Sequence, residues 1–490
     1  MPFEPFQKAG GTRKRFLIGS LIIVALMATA TVAGVLLEVG HIRSYFPQPT
    51  IPPTAIKQIT PAPPGAPETI LIIGDDKRAL SSNVNDRSSP PKSDTMLLLR
   101  LDPNQHEVSL LSVPRDLKTT IVPDVGPPIT TKINASYGIG GSALVAKTIK
   151  ATLPGLSINH IVDINFGGFR KVIDAIGCVY IFVDRHYYNV NLGTAATNFS
   201  NIDIKPGYQK LCGQQALDYT RYRHTDSDFV RVARQQDFIR QAKQQVGVQN
   251  LFNNQDPLLK ALQHAIATDI HGTAVDRLIS LAFFSLGRPV RQVDFQSTVG
   301  PSYVTATPEQ LTATVNDFLY NDPGPVKVSS KRVGGRRGTA PAGGGGLGLV
   351  ATPPGDIGLA NSASVGFPIK LYTPRLRMAQ ANLTDLVRVY TLRDEQNTRH
   401  HAYVISIARG LVGEYYGVEG TDWTTPPILS GQHQTRRIGG LSYDLYVDGG
   451  HIRLVAWRSP TAVYWLSNTL RTSLSNQQML AIAESARPVN

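Results

Sequence analysis

Three short apolar segments between residues 69 and 113 constrain the fold of this chain more than any other feature. They are Thr69–Ile73, Met96–Leu101 and Val108–Val113. Runs of this length, rich in Ile, Leu and Val, are typical of buried strands. The turn-forming sequence Asp102-Pro103-Asn104-Gln105 separates the second run from the third. These two strands should therefore pair as a hairpin.

Helical and extended segments alternate after this hairpin. Helices are predicted at Gly141–Leu153 and Phe169–Ile176, and strands at Ile161–Phe166 and Val179–Val183. Strands that alternate with helices indicate a layered domain around a central sheet. We therefore predict an α/β (α+β layered) fold with a central mixed sheet and helices on both faces, followed by a smaller α+β domain.

An apolar segment near the N-terminus, Phe16–Val39, carries no charge before Glu38. At about 1.5 Å per residue, it is long enough to cross a bilayer core of about 30 Å. Arg13-Lys14-Arg15 directly precede it, so the short N-terminus should stay cytoplasmic. The small residues Ala28-Thr29-Ala30 leave a cleaved signal peptide as the alternative, although the run is long for one. We predict a single-pass protein of the cell membrane whose bulk is extracytoplasmic.

Shifts in composition divide the rest of the chain. Eight prolines between residues 41 and 67 indicate a stiff stalk. The glycine run 343–346 lies in a basic segment that indicates a flexible linker, and a segment resting on an anionic surface is the alternative. The predicted organisation is a basic cytoplasmic tail (1–15), a transmembrane helix (16–39), a Pro-rich stalk (40–67), a main catalytic domain (68–321), a Gly/Pro-rich basic linker (322–367) and a C-terminal accessory α+β domain (368–490).

The formal net charge of +13 indicates an anionic partner or surface. The chain has no recognisable zinc finger, helix-turn-helix or RNA-binding motif, so we do not expect nucleic acid as the partner. Cys178 and Cys212 are too few for a structural zinc site and too far apart for a redox motif. Two such cysteines are most often unrelated buried thiols in a cytosolic protein. In an exported protein a disulfide is the better interpretation, and we predict that bond here.

The densest group of arginines lies between residues 221 and 236. This group, with one glutamine, is Arg221, Arg223, Arg231, Arg234 and Gln235. In a strand, the first two arginines would share one face. Asp228 then begins a predicted helix, and the later members of the group fall with it inside an arc of about 120°. Arginine binds phosphate oxygens in a fixed fork geometry, so the segment can surround a phosphate; a solvated basic helix is the alternative.

Two aspartates flank the predicted hairpin. Asp94 stands directly before its first strand, and Arg115-Asp116 follows its second. In an antiparallel hairpin, Asp94 and Asp116 lie at the same end, where they suit a hard divalent cation such as Mg²⁺. With Arg115 and the arginines of the later segment, they would form a pyrophosphate site for phosphoryl transfer. Taken singly, each motif is weak, because an aspartate after a strand is usually a cap or turn residue.

Seven motifs occur in a fixed order along the chain. They are Gly74–Arg78, Lys92–Thr95, Ser112–Asp116, Lys132–Tyr137, Asp163–Phe169, Asp174–Gly177, and Arg221-x-Arg223 with Asp228-x-x-Arg231-x-x-Arg234-Gln235-Gln236. In this order the chain resembles the LytR-CpsA-Psr family. The resemblance runs from about residue 68 to about residue 246 and continues more weakly to about residue 320. It does not cover the stalk, the linker or the C-terminal domain.

The resemblance implies an extracytoplasmic, membrane-anchored phosphotransferase. Members of this family move a glycopolymer from an undecaprenyl-pyrophosphate carrier to peptidoglycan, typically to the muramic acid C6 hydroxyl, and form a phosphodiester. The implied partners are the polyprenyl-pyrophosphate-linked glycopolymer, peptidoglycan and the membrane. The implied cofactor is Mg²⁺ (or Mn²⁺), held by Asp94 and Asp116. Asp94, Arg115 and Asp116 are the implied catalytic residues.

The resemblance also implies a set of pyrophosphate contacts. They are Arg78, Lys92, Arg115, Lys132, Asn134, Arg221, Arg223, Arg231, Arg234 and Gln235. Lys92 stands where arginine is usual, which makes that contact a point charge rather than a fork. Asp75 replaces a common serine and adds an acid near the metal site. Asp228 is either the base that activates the acceptor hydroxyl, or an ion-pair partner or N-cap of its helix.

Two other functions stay open on the sequence alone. One is a non-catalytic cell-envelope binding or regulatory protein. The other is a polyprenyl-pyrophosphate hydrolase that uses the same residues with water as the acceptor. The sequence does not identify the polymer.

Overall fold

The computed structural model describes residues 40–75, 93–190, 201–222, 228–245, 255–285, 288–321, 347–383, 387–409, 414–448 and 450–489. Within these ranges, no helix is both long enough and apolar enough to cross a membrane. The longest helices there, Ala135–Thr152 and Asp228–Gln245, carry lysine and many polar residues. The predicted localisation as a single-pass protein of the cell membrane is therefore not supported. The segment Phe16–Val39, on which that prediction was based, lies outside the described residues.

The main domain combines a central sheet with several short ladders. Its strands are β1 (Glu68–Asp75), β2 (Ser93–Leu101), β3 (Val108–Ser112), β4 (Lys118–Ile121), β5 (Ile129–Lys132), β6 (His160–Asn165), β7 (Val179–Val183), β8 (Tyr187–Asn189), β9 (Ile202–Ile204), β10 (Gly207–Leu211), β11 (Ile266–Thr268), β12 (Val290–Val293), β13 (Thr298–Val299) and β14 (Val304–Thr305). Its helices are α1 (Pro53–Ile56), α2 (Ala135–Thr152), α3 (Phe166–Ala175), α4 (Gly213–Arg221), α5 (Asp228–Gln245), α6 (Gln255–Ala265), α7 (Thr273–Ser285) and α8 (Pro308–Tyr320).

The central sheet has six strands in the order β11-β6-β1-β2-β3-β12. β2 pairs antiparallel with β1 and with β3, which confirms the predicted hairpin. β6 runs parallel to β1, and β12 runs parallel to β3. The carboxyl ends of β1, β3, β6 and β12 therefore meet the start of β2 at one end of the sheet.

Neighbouring residues of the sheet enter two different cores, because side chains alternate along a strand. On one face, Leu98 packs in a cluster with Val145 of α2 and Phe318 of α8. On the other face, Leu97 packs in a cluster with Leu281 of α7. The predicted α/β fold, with a central mixed sheet and helices on both faces, is confirmed.

A second, smaller layer packs beside the sheet. β7 pairs antiparallel with β10, and Ile181 of β7 lies in a core with Ile173 of α3 and Phe238 of α5. Cys178 and Cys212 form a disulfide with their Cα atoms 4.5 Å apart, as predicted. The bond joins the approach to β7 to the residue before α4.

The segment predicted to be a stalk packs on the main domain. Ile51 and Ala55 are buried in the core that contains Leu98. The Thr50 N–H donates to the Thr268 carbonyl oxygen at 2.8 Å. Pro53 occupies the first position of α1, where a helix needs no N–H donor. The prolines exclude a strand ladder but allow this close packing.

The C-terminal domain is built on an antiparallel sheet. Its strands are β15 (Leu349–Ala351), β16 (Tyr372–Thr373), β17 (Leu376–Met378), β18 (Ala381–Leu383), β19 (Arg388–Arg393), β20 (Arg399–Arg409), β21 (Tyr415–Thr421), β22 (Gln434–Ile438), β23 (Leu441–Asp448), β24 (His451–Arg458), β25 (Val463–Ser467) and β26 (Arg487–Pro488), and its helices are α9 (Pro354–Ser364) and α10 (Asn476–Ser485). The main sheet has the order β18-β20-β21-β25-β24-β23-β22, and β19 also pairs with β20.

This domain begins earlier than the sequence suggests. Leu349 of β15 and Ala360 of α9 are buried in its core together with Ile482 of α10. Both elements lie inside the predicted linker 322–367, of which residues 322–346 are outside the described ranges. The segment from residue 347 therefore belongs to the C-terminal domain.

The two domains share a hydrophobic core. Tyr180 of β7 and Tyr208 of β10 pack with Trp465 of β25. Arg240 of α5 forms an ion pair with Asp448 at the end of β23, and both side chains are buried. These contacts fix the C-terminal domain beside α5 and β7.

Candidate functional site

The candidate site lies at the end of the central sheet where β2 begins and β3 ends. In the β2–β3 ladder, Leu97 lies opposite Ser112. If the pairing continues with the same register for three more residues toward the start of β2, Asp94 lies opposite Arg115. The Arg115 Nη1 donates to the Asp94 Oδ1 at 2.5 Å. A local hairpin thus places a carboxylate and a guanidinium side by side.

Asp116 lies on the other side of Arg115. Its Oδ1 is 3.9 Å from the Arg115 Nε and 2.9 Å from the Lys132 Nζ. The same Nζ lies 5.9 Å from the centre of the Tyr303 ring. The Asn134 N–H donates to the Arg115 carbonyl oxygen at 3.2 Å and ties this loop to the start of α2. Two carboxylates and two cations therefore alternate here, and their side chains are between 16% and 39% exposed.

These two carboxylates have the chemistry of a divalent-cation site. Asp94 and Asp116 offer oxygen ligands, and both are partly exposed. Mg²⁺ often uses one or two carboxylates and takes the rest of its shell from phosphate oxygens and water, so this pair fits. In the described residues, one group of three potential ligands also converges: Asp174 with Cys178 and Cys212. It is no rival site, because its two sulfurs are bonded to each other.

A buried tyrosine joins two further carboxylates at this end of the sheet. The Tyr137 hydroxyl lies 2.6 Å from the Asp75 Oδ2 and 2.9 Å from the Asp163 Oδ2. Burial and the two carboxylates raise the pKa of Tyr137 well above its ordinary value, so the hydroxyl stays protonated. A single hydroxyl proton serves one carboxylate at a time, so Asp75 and Asp163 compete for it.

The sequence did not reveal this tyrosine–carboxylate arrangement, although Tyr137 and Asp163 lie in two of the ordered motifs. The arrangement follows from the parallel pairing of β1 with β6, which sets Asp163 opposite Ile73. Because side chains alternate along a strand, Asp75 lies on the same face of the sheet as Ile73.

The structure changes the first half of the arginine segment. Arg221 was predicted to lie in a strand, but it ends the helix α4. Its guanidinium lies 3.7 Å from the centre of the Phe166 ring. Asp228 is the first residue of α5, as predicted. The side chain of Asp228 lies outside what the structure describes, as do Arg78, Lys92 and Arg223.

Arg234 is fully buried among three tyrosines. Its Nη1 donates to the carbonyl oxygens of Tyr219 and Tyr222 at 3.2 and 2.9 Å, and its Nε donates to the Tyr187 hydroxyl at 3.2 Å. Arg231, nearly one turn earlier, is only 3% exposed. The fold thus places both arginines inside the protein, and Arg234 holds the end of α4 in position.

Gln235 connects the two halves of the site. Its Nε2 donates to the Thr95 Oγ1 at 3.1 Å and to the Thr220 carbonyl oxygen at 3.2 Å. Thr95 directly follows Asp94 in β2. The helix α5 is thereby fixed to the start of β2 and to the end of α4 at one point.

The protein was compared with known families and proteins. Residues 52–304 match the LytR_cpsA_psr family. The polyisoprenyl-teichoic acid–peptidoglycan teichoic acid transferase TagU of Enterococcus faecalis is 29% identical over 252 residues, which are 50% of this chain and 77% of that protein. The protein of the same name from Halalkalibacterium halodurans is 30% identical over 207 residues, which are 42% of this chain and 61% of that protein.

A solved structure gives a further comparison. The crystal structure of B. subtilis TagV is 22% identical with a TM-score of 0.41, and the match covers 52% of this chain and 96% of that chain. The family match covers more than half of the chain and contains all of the ordered motifs. The resemblance drawn from those motifs is confirmed: this chain belongs to the LytR_cpsA_psr family.

Proposed function

We propose that this protein is a transferase that joins a glycopolymer to peptidoglycan through a phosphodiester. The donor is the polymer on a polyprenyl pyrophosphate, and undecaprenyl pyrophosphate is the carrier expected from the sequence. The names of its relatives, which are polyisoprenyl-teichoic acid–peptidoglycan transferases, support the reaction class. The observation that carries the proposal is the cluster of Asp94, Arg115, Asp116 and Lys132 at one end of the sheet.

The reaction makes one phosphorus–oxygen bond and breaks another. The acceptor hydroxyl oxygen attacks the phosphorus that carries the polymer and loses its proton to a base. The bond from that phosphorus to the bridging oxygen breaks, and polyprenyl phosphate leaves with that oxygen. Negative charge is spread over the phosphate oxygens in the transition state, so catalysis depends on positioning and on positive charge.

The chain supplies that positive charge from two different side chains. Arg115 offers planar, paired donors that match a phosphate, whereas Lys132 offers a mobile point charge. Both are held by carboxylates in the structure, and phosphate oxygens can replace those carboxylates as acceptors. A Mg²⁺ or Mn²⁺ ion held by Asp94 and Asp116 would supply Lewis-acid stabilisation at the same oxygens.

The other predicted residues keep a place in the proposal. Arg234 acts as a positioning residue through the end of α4, since its donors are used inside the protein. Asp228 remains the candidate for the base or for an ion-pair partner. The remaining proposed phosphate contacts are Arg78, Lys92, Asn134, Arg221, Arg223, Arg231 and Gln235.

Transfer should be measured with purified protein, a polyprenyl-pyrophosphate-linked polymer, a peptidoglycan acceptor and Mg²⁺. We expect Arg115→Ala and Asp94→Asn each to lower the rate by at least about a hundredfold, because each removes charge that acts in the transition state. The matched control is Asp124→Asn, which removes the carboxylate of a surface ion pair with Lys147 and should leave the rate unchanged. Normal transfer by both site variants would disprove the site assignment.

A further inference from the structure

We propose that the cleft between the two domains binds the glycan strand of the acceptor; its identity as the acceptor rests on the function proposed above. The cleft has a volume of about 600 Å³. Pockets that bind small molecules commonly have volumes of roughly 300–1,000 Å³. Its walls come from the end of β3, from α5, from β12 and the segment after it, and from the end of α8. The C-terminal domain contributes Asp448, Gly450, His451, Arg471 and Thr472.

The cleft opens next to the charged cluster. Pro114 lines it and directly precedes Arg115 in the chain. β3 and β12 run parallel, so the segments that leave both strands lie at the same end of the sheet. Ligands of α/β sheets bind outside the carboxyl ends of the strands, which is where this cleft lies. A glycan in the cleft would therefore place its hydroxyls beside Arg115.

A largely buried glutamine on the cleft wall can offer its side-chain amide to a ligand. Gln236 of α5 lines the cleft and is 4% exposed. In the part of the chain that the structure describes, its side-chain amide has no hydrogen-bond partner. The amide atoms of Gln236 are not among the fully enclosed polar side-chain atoms that lack a partner, so they reach the cleft. A ligand in the cleft can therefore supply their hydrogen bonds. An amide can donate to one hydroxyl group and accept from another, so Gln236 has the chemistry to bind a sugar.

The charges of the cleft argue against an anionic polymer. The charged side chains on its walls are Arg291, Arg471, Asp294, Asp317 and Asp448. Both arginines already lie near carboxylates: Arg291 is 3.0 Å from Asp317, and Arg471 is 3.9 Å from Glu414. Asp294, by contrast, forms no ion pair with any residue that the structure describes. Asp448 is itself paired with Arg240, so the cleft walls carry no excess of positive charge that would attract a phosphate-rich polymer, whereas Asp294 can accept hydrogen bonds from the hydroxyls of a glycan.

The C-terminal domain completes the cleft from the other side. It contributes His451 and Thr472 to the wall. Thr472 has a φ of 50°, a conformation that is strained for a β-branched residue. The buried ion pair of Arg240 with Asp448 fixes this wall against α5. The C-terminal domain thereby forms one side of the proposed binding site, next to the cluster of Asp94, Arg115, Asp116 and Lys132.

Binding should be measured by calorimetry on the full-length protein with soluble, uncrosslinked peptidoglycan glycan fragments. Poly(glycerol phosphate) serves as the anionic probe. We expect Asp294→Asn and Gln236→Leu each to weaken fragment binding about tenfold, which is the effect of losing one good hydrogen bond. Asp124→Asn should bind the fragments as the wild type does, because Asp124 lies on the surface away from the cleft and is paired with Lys147. A thermal melt of each variant excludes unfolding as the cause.

Unchanged fragment affinity in both folded cleft variants would overturn the inference. It would also be overturned if the two substitutions weakened the binding of poly(glycerol phosphate) and left the binding of glycan fragments unchanged. The transfer assay separates this result from the proposed function. If the variants transfer with an unchanged KM for the acceptor, the cleft assignment fails and the transferase stands. If the wild type transfers nothing but binds fragments through these residues, the glycan site stands and the transferase fails.

Discussion

The two groups of residues predicted to hold phosphate are used by the fold in different ways. Arg115 is partly exposed, and its partners are the carboxylates of Asp94 and Asp116. Arg234 is fully buried, and among the described residues it donates to backbone carbonyls and a tyrosine hydroxyl. A guanidinium on an exposed carboxylate can exchange that partner for a phosphate, whereas removing one from buried carbonyls leaves them unpaired. Burial and partners, rather than residue type, therefore distinguish the proposed phosphate contact Arg115 from Arg234.

Substitution of Arg234 tests this difference with the largest expected effect on stability. Arg234→Met should lower the free energy of unfolding by about 3–5 kcal/mol, because it strands buried carbonyl groups. It also removes a positive charge near the buried Asp184, whose pKa is raised by burial. Arg115→Ala should change the same free energy by less than about 1 kcal/mol. Urea denaturation of the two variants measures both values.

Arg170→Met is the matched control for this substitution, since Arg170 is exposed on α3 and donates only to Gln214 among the described residues. Its effect should stay within about 0.5 kcal/mol. The comparison breaks if Arg234→Met is as stable as the wild type and yet fails to transfer, because Arg234 would then be a phosphate contact.

The disulfide should have the next largest effect. Cys178 and Cys212 are 34 residues apart, so Cys212→Ser should lower the free energy of unfolding by about 3–4 kcal/mol through loss of the loop constraint. The loss should fall on the layer that carries the arginine segment, and the Asp94–Arg115 hairpin should keep its structure. Hydrogen exchange resolved by segment measures both regions. Two titratable thiols in the unreduced wild-type protein would contradict the bond itself.

A buried carboxyl group at the domain interface should make the stability of the protein depend on pH. Glu419 accepts hydrogen bonds from the Tyr390 hydroxyl and the Tyr208 N–H. Burial raises its pKa from 4.5 to about 8. Between these two values the folded protein keeps a proton that the unfolded chain has released, so stability falls as pH rises. The slope should approach about 1.4 kcal/mol per pH unit and vanish above the folded pKa.

Glu419→Gln should remove this part of the pH dependence, because an amide does not titrate. Urea denaturation of wild type and variant at several pH values between 5 and 9 measures the slope. The same slope in both proteins would show that Glu419 is ionised in the folded state and that its burial has no such cost.

The hairpin and its ion pair were predictable because they are local. The Asp102-Pro103 turn fixes the register of β2 on β3, and that register alone sets Asp94 opposite Arg115. The helix end at Arg221 was not predictable in the same way. The segment before Arg221 alternates polar and apolar residues for a short stretch, which is typical of a strand. It forms a helix because Tyr219 is buried in a core that other segments of the chain contribute.

The remaining differences come from contacts between distant segments. Composition marks residues 40–67 as a stalk, but Ala55 is buried because the main sheet offers it a core. In the same way, β15 and α9 gain order from the C-terminal sheet, which no local pattern shows. The sequence alone predicts that Arg234 contacts phosphate, because it does not show the three tyrosines that surround this guanidinium in the folded protein.

Mass spectrometry of the reaction product tests the central claim most directly. The purified protein is incubated with polyprenyl-pyrophosphate-linked polymer and a peptidoglycan acceptor, and the joined fragments are analysed after digestion. We predict a muropeptide linked to the polymer through one phosphodiester, formed by the wild type and absent with Asp94→Asn. Free polymer phosphate with no joined product, in equal amounts with and without acceptor, would contradict the account and identify a hydrolase.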